Sequence, residues 1–394
     1  MRLLVIFPST NRGGTEEYAL TLASAAAQGK WEVHAAFPQT EGTESLIQDF
    51  KTRGIHYHSL NIANGNVCEL KKIGKYLPQL ALTMALLLKL RPDVVQLNLP
   101  YPDHCLGSLL ACGLLRIPTA VVFHLIPKQY SLTDKLLRVY AWARKRNQQW
   151  IAISENNRKL LCDFFRIPQD QVLRIYNGTK LESDFTSYNP EQARQLRHQV
   201  RQELGLSETS QILLTVGRLS SQKGYVDLIP VIAPIVHEFP DVKFIWVGDG
   251  EQRETLVKKV KAYGVEDHVL FLGYRCDVPK LLKSADFFVF PTHFEGGQSF
   301  ALAEAMAYGL PIVTSDASGI PEVIENQVHG LLFPVGNNQK LLEAIRWALK
   351  YPDTMQKMAQ NAQLRSQEFS EEKMVKETLG AIKDILCQAS KEKY

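Results

Sequence analysis

Two Rossmann-like α/β domains, each a parallel sheet with helices on both faces, are the fold class this sequence predicts. Three observations predict it. Short β-prone runs alternate strictly with helical ones from the start to about position 335, and such alternation builds parallel sheets. The pattern breaks once, in a polar and charged stretch from Glu182 to Thr209, and then restarts. At 394 residues the chain is also too long for one ordinary core.

In the first half, Leu3 to Phe7, Glu32 to Phe37, Ile55 to Leu60, Asp93 to Leu97, Ala120 to Phe123, Trp150 to Ile153 and Val172 to Tyr176 read as strands. Between them Tyr18 to Ala27, Ser45 to Arg53, Tyr76 to Leu90, Leu106 to Leu115, Leu132 to Arg146 and Asn156 to Phe165 read as helices. After the break, strands fall at Ile212 to Val216, Lys243 to Val247, Val269 to Leu272, Phe287 to Phe290, Pro311 to Thr314 and Gly330 to Phe333. Three helical stretches close the chain, Leu341–Lys350, Met355–Gln367 and Glu371–Lys391. This divides the sequence into a first domain at 1–185, a second at 186–370 and a final helix at 371–394. Ligands of such sheets gather at the carboxyl ends of the strands.

Composition narrows the function. No apolar run approaches the roughly 20 residues of a membrane-spanning helix, and Met1 to Phe7 reads as a first strand rather than a signal peptide. Six cysteines lie scattered without a C-x-x-C pair, and no histidine cluster has metal-ligand spacing. Both point to a reducing, cytoplasmic setting with no metal and no cofactor. Residues 1–185 hold 22 Lys/Arg against 15 Asp/Glu, whereas 186–394 hold 23 against 26, so the first half is the better face for an anionic partner. Lys128, Lys135, Arg138, Arg144, Lys145 and Arg146 fall near Tyr140 and Trp142. That mixture fits peripheral attachment at a membrane surface; it also fits a solvated helix face. No motif supports nucleic-acid binding.

The most informative stretch is Ala285 to Thr314, a strand, a glycine-containing loop Glu295-Gly296-Gly297-Gln298-Ser299, a helix from Phe300 to Tyr308, and a second strand. Ser299 is placed as helix N-cap and Gly309 as its stop. Backbone N–H groups at such a helix start converge on one point with partial positive charge, which suits a phosphate or diphosphate. Glu295 and Glu304 flank that point; carboxylates there take hydroxyl groups rather than the anion. Phosphate plus hydroxyls describes a nucleotide sugar. Earlier, Gly217-Arg218-Leu219-Ser220-Ser221-Gln222-Lys223-Gly224 follows the first strand of the second domain, and its two cations can neutralise a diphosphate, Arg by forked hydrogen bonds and Lys as a point charge. Gly13-Gly14-Thr15-Glu16 opens a helix after the first strand, as a phosphate loop or as a plain tight turn. His124 ends the run Thr119 to Phe123.

Together these segments resemble the donor site of the retaining, GT-B-fold glycosyltransferases of family 4 (glycosyltransferase group 1). Glu304-Ala305-Met306-Ala307-Tyr308-Gly309 matches the second half of the family's two-glutamate pattern. The pattern usually has seven residues between the glutamates; here eight separate Glu295 from Glu304, the extra one absorbed at Gly296-Gly297. Val247-Gly248-Asp249-Gly250, Ile175-Tyr176-Asn177-Gly178, Ser318 to Ile324 and Gly330 to Phe333 follow in the family's order, and the resemblance covers roughly the whole chain.

The resemblance implies two domains facing across a cleft, with the last helix returning to the first domain. It implies sugar transfer from a nucleotide-diphosphate donor, a UDP-sugar being favoured, to an acceptor it does not identify, with retention at the anomeric carbon. His124, Arg218, Lys223 and Glu295 then carry the catalytic roles. Gly13, Gly14, Gly217, Arg275, Gln298, Ser299, Phe300, Ala301 and Glu304 bind the donor, with the Leu272 to Arg275 segment giving backbone contacts to the base. A nucleotide-sugar epimerase on the same fold and a nucleotide-sugar-binding module that has lost catalysis are the competing readings. The missing dinucleotide fingerprint near Gly13 counts against an oxidoreductase.

Overall fold

The computed structural model describes residues 1–62, 76–126, 132–179, 189–297 and 299–391. It divides into two compact units, Met1–Asn177 with Glu371–Tyr394, and Gly178–Ser370.

The first unit begins β1 (Arg2–Ile6), α1 (Gly14–Gln28), β2 (Glu32–Phe37), α2 (Glu44–Thr52), β3 (His56–Ser59), α3 (Leu77–Leu90) and β4 (Val94–Leu99). It continues α4 (Leu106–Leu114), β5 (Thr119–Phe123), α5 (Asp134–Arg144), β6 (Gln148–Ala152), α6 (Glu155–Phe165) and β7 (Val172–Arg174). The seven strands order as β3-β2-β1-β4-β5-β6-β7, and the paired strands are parallel. Strands covered on both faces need no polar alternation, and Leu3 to Ile6 and Val94 to Leu99 are buried along their whole length. Local sequence sets the helix starts. Thr133 and Ser154 accept the Leu136 and Asn157 amides at the heads of α5 and α6.

The second unit runs α7 (Pro190–Glu203), β8 (Gln211–Val216), α8 (Tyr225–Glu238), β9 (Val242–Val247), α9 (Arg253–Ala262), β10 (Val269–Gly273), α10 (Val278–Ser284) and β11 (Phe287–Phe290). It ends α11 (Phe300–Ala307), β12 (Ile312–Ser315), α12 (Ile320–Val323), β13 (Leu331–Phe333), α13 (Asn338–Lys350) and α14 (Pro352–Ser366). Its six parallel strands order as β10-β9-β8-β11-β12-β13. Both sheets therefore reverse direction of growth at one place, between β1 and β4 in the first and between β8 and β11 in the second. Crevices at such switch points are where doubly wound sheets hold ligands.

The final helix, α15 (Glu371–Lys391), belongs to the first unit. It packs on α1 and against β5 and β6, and the buried Tyr18 and Thr378 hydroxyls meet at 3.1 Å.

The sequence reading assigns no helix to the stretch from Glu182 to Thr209, yet from residue 189 onward it holds α7. Asn189 accepts the Gln192 amide, Gln192 returns a side-chain bond to the Asn189 amide, and Pro190 occupies the first turn. That is a capping box with proline where its missing N–H costs nothing. The charged composition misleads because Arg201 is fully buried. Its guanidinium donates to the Ser284 and Ser210 carbonyls at 3.1 and 2.9 Å and pairs with Asp286 at 2.9 Å. Asp286 also accepts the Ile212 amide at 2.8 Å. One arginine thus ties α7 to the starts of β8 and β11. Residues 180–188 lie outside the described part.

Candidate functional site

The glycine-rich turn after β8 and the loop after β11 meet at the switch point of the second sheet. Gly224 makes the approach possible. It sits at φ +67°, and a Cβ there would lie 1.9 Å from the Pro291 carbonyl oxygen, so a side chain would drive the two loops apart. Stitches hold the loops in register: the His293 amide donates to the Gln222 carbonyl at 2.7 Å and the Gln222 side chain to the Phe294 carbonyl at 2.9 Å. His293 Nε2 lies 2.7 Å from Asp227 Oδ2 on α8.

Within this frame Lys223 turns inward. Its Nζ is 2.5 Å from Glu295 Oε1, with side-chain exposures of 16% and 8%, and it sits 5.1 Å from the centre of the Phe290 ring. The Thr292 hydroxyl lies 2.8 Å from the same Glu295 oxygen and 3.0 Å from the Gln222 carbonyl oxygen. The Glu295 amide donates to Ser318 Oγ at 3.1 Å, and Ser318 is held at φ +50°, where a non-glycine residue is rare. Arg218 differs: it is exposed. Gly217 faces the Lys223 stem, whose carbons would stand 3.5 Å from a Cβ there.

Beyond the glutamate, Ser299 takes the N-cap position of α11 without a side-chain cap bond. The first intrahelical bond runs from the Ala303 amide to the Ser299 carbonyl at 2.9 Å. Helix geometry leaves the amides of Phe300 and Ala301 pointing out of this end. Glu304 lies one turn further on, half-buried. The helix closes at Gly309, at φ +67°, whose amide bonds the Met306 carbonyl at 3.0 Å. Gln298 lies outside the described residues.

Arg275 is placed away from these loops' ion pair, after the edge strand β10. Its guanidinium binds Asp277 at 2.6 and 2.7 Å and Glu203 at 2.7 Å, and these hydrogen bonds raise its pKa further above the usual arginine value. These bonds engage Nε and Nη2 and hold the guanidinium towards Asp277 and Glu203.

In the first unit, Gly13 is the N-cap of α1, with an extended backbone that any residue adopts, and Gly14 is the first helical residue. Arg12 anchors this loop through Glu17 at 2.5 Å and Asp49 at 2.7 Å. His124 follows β5 and is 7% exposed. Its Nε2 is 3.4 Å from Asn98 Oδ1, and its ring meets Tyr18 edge-on at 5.1 Å. Tyr140, read from sequence as part of a basic and aromatic surface, is instead a core residue whose hydroxyl donates to the Pro102 carbonyl at 2.7 Å.

Burial pushes the His124 imidazole down to about 3, from an ordinary 6.5. The unfolded chain therefore takes up the proton first. Its contribution to stability is whole above pH 6.5 and shrinks as pH falls towards 3. Between pH 7 and pH 5 the loss should be ~2 kcal/mol. Urea melts of a His124→Gln variant should show a flatter decline over that interval; a decline as steep as the parent's would refute the neutral, buried imidazole.

Sequence reasoning missed Thr292 and the Asp227–His293 pair, and it named Ser318 only as the start of a segment, with no role of its own. Hydroxyls are common and carry no spacing signal, although a serine beside Gly319 just beyond a strand end hints at special backbone. Among the described residues no helix is long and apolar enough to cross a membrane, no group of three or more His, Cys, Asp or Glu could hold a metal ion, and the five cysteines are free.

Known proteins match both halves. A model described as "Glycosyltransferase Family 4" fits residues 12–183, and one described as "Glycosyl transferases group 1" fits residues 197–365. An uncharacterized glycosyltransferase of Methanocaldococcus jannaschii is 34% identical over 186 residues, 46% of this chain and 46% of that protein. The N-acetyl-alpha-D-glucosaminyl L-malate synthase of Bacillus anthracis is 33% identical over 189 residues, 48% of this chain and 49% of that protein. The chain thus spans about half the length of the curated relatives it matches. Among solved structures, Anabaena HepE in complex with UDP and glucose superposes with a TM-score of 0.80 at 22% identity, covering 98% of this chain and 100% of that one. Two Rossmann-like units of GT-B type, each carrying its own family match, establish that the chain belongs to the group 1 glycosyltransferases.

Proposed function

We propose that this protein transfers a sugar from a UDP-sugar to an acceptor hydroxyl with retention at the anomeric carbon. The observation that carries the reading is the Lys223–Glu295 pair, 2.5 Å apart at the switch point of the second sheet, beside the start of α11. Lys223 is held there by a carboxylate until a diphosphate takes its place. Arg218, exposed on the same turn, and the Ser299 to Ala301 amides add further positive potential for the leaving phosphate. Fixed donors of this kind act where charge develops and need no reorganisation. These two cations supply the neutralising charge without a metal or cofactor. Glu304 accepts from the ribose hydroxyls and Glu295 from the donor sugar. His124, neutral because buried, keeps the role the resemblance gives it, a hydrogen bond to a hydroxyl of the transferred sugar. Gly13 and Gly14 keep their place at the donor phosphates.

The bond between the acceptor oxygen and the anomeric carbon forms on the face from which the phosphate oxygen departs. The acceptor proton passes to that phosphate oxygen, so no side chain is required as base. Supporting the uracil base, the Anabaena HepE structures hold UDP and, in one, glucose. The reaction is set in the cytoplasm, with the acceptor a glycan, a lipid or a small molecule.

Calorimetric titration with UDP-, GDP- and ADP-sugars tests this directly. A UDP-sugar should bind, and at 100-fold excess over Kd should stabilise the fold by about 2.7 kcal/mol. Binding of none of them at millimolar concentration, or equal binding by Lys223→Ala, would remove the site.

A further inference from the structure

Helix α3 is built the wrong way round for a surface helix. It carries one charged residue, Lys89, in 14, and its polar side chains face inward. Gln79 is buried, donating to the Ile62 carbonyl at 2.6 Å and accepting the Gly107 amide at 3.2 Å. Thr83 is fully buried with its hydroxyl 2.8 Å from that of Ser108 on α4. Gly107 lets the two helices close up, since a Cβ there would lie 2.5 Å from Gln79 Cβ. These bonds fix the rotation of α3. They leave Leu77, Leu82 and Leu88 at 59%, 45% and 59% exposure, with Pro78, Ala81 and Ala85 also exposed between them. A helix in contact with water normally does the reverse.

The end of this face is cationic. Lys89 lies in the last turn of α3 and Arg91 is its left-handed cap, both exposed. Helices α3, α4 and α5 lie side by side, and all three finish at the amino-terminal edge of the first sheet. Beyond α4, with Leu114 exposed at its tip, Arg116 stands at φ +52°. Arg116, Trp142, Lys145, Arg146 and Asn147 line an open pocket of about 280 Å³, in which the Arg146 guanidinium stacks 4.2 Å above the Trp142 ring. No carboxylate lines it. Asp93, at the same edge, already accepts the Arg2 amide at 2.7 Å.

We propose that the leucine face of α3 and this cationic edge dock the first unit on an anionic lipid bilayer. The leucines enter the interfacial layer, and the pocket of Arg116, Lys145 and Arg146 takes lipid phosphate. Apolar area and attraction to anionic lipid are the two contributions that surface attachment requires. Among the described residues no helix can span the bilayer, so the contact is peripheral. A second copy of the chain suits the face less well, because α3 has no carboxylate to answer another copy's cations. The inference stands apart from the transfer reaction and can fail without it.

Co-sedimentation of the full chain with vesicles decides the matter, comparing phosphatidylcholine alone with phosphatidylcholine containing 30% phosphatidylglycerol (~30 mol%) at near-physiological salt. Binding should favour the anionic vesicles. The Leu82→Asp/Leu88→Asp variant, altered only at exposed positions and checked by circular dichroism, should bind at least about 10-fold less. The Arg116→Glu/Lys145→Glu/Arg146→Glu variant should lose on the order of 100-fold on anionic vesicles, at about fivefold or more per cation. No binding, or binding indifferent to lipid charge, overturns the proposal. So does sedimentation of the free protein as a dimer that Leu82→Asp/Leu88→Asp dissociates, which would assign the face to a second copy.

Discussion

Lys223→Ala is expected to cut release of UDP from the donor sugar by at least about 100-fold. A preorganised donor aimed at developing charge is worth about 10²–10³ in rate, and Lys223 is the inward-facing cation of the β8 turn. The same change also touches stability, because Glu295 is left in a largely buried place without its 2.5 Å partner. Breaking a buried pair costs about 3–5 kcal/mol when the site is fully dry; Lys223 keeps 16% side-chain exposure, so a smaller loss is expected here. A companion variant separates the two effects. Lys223→Met with Glu295→Gln removes both charges and should recover most of the lost stability while remaining inactive. Full activity in Lys223→Ala would sink the assignment. Recovery of activity together with stability in the double variant would reduce the pair to a structural role.

The largest effect on stability should come from Arg201→Met. The arginine is completely buried and holds two backbone carbonyls and Asp286. Methionine fills part of the volume but leaves those carbonyls and the carboxylate short of donors, and a buried pair deprived of one member loses about 3–5 kcal/mol. For a unit of this size that is a fall of roughly 10 °C in Tm. Arg197, which also pairs with Asp286 and is more exposed, should matter far less, since exposed pairs contribute about 0–1 kcal/mol. Scanning calorimetry of the two variants side by side checks the order. Equal Tm values would show that Arg201 is not the tie between α7 and the sheet.

Much of the architecture was legible in sequence because parallel strands buried on both faces are short, apolar and separated by long helical runs. Each strand was found, with both ends matching to within two residues and Glu32–Phe37 and Phe287–Phe290 matching without a shift. The helix at Pro190 was hidden by its own composition. Gln, Arg and Glu in succession look like a solvated linker, and burial of Arg201 depends on Asp286, which lies 85 residues later. The sequence singles out Arg218, Lys223 and Glu295 because charge next to glycine in loops that follow strands is distinctive, and Glu304 because it lies in the helix that follows one of those loops. That Lys223 faces inward while Arg218 faces water was not visible, since it follows from the close approach at Gly224. The hydroxyls of Thr292 and Ser318 and the inverted face of α3 are legible only once the partners on neighbouring elements are in place.

The meeting of Tyr18 and Thr378, 360 positions apart, bears on how the protein is made. The first half of the chain leaves the ribosome long before α15 exists, so the layer over α1 and β5 stays open throughout synthesis of the second unit. Of the two units, the one that emerges first is therefore the last to be finished, and until then it offers bare apolar surface to chaperones and to neighbouring nascent chains.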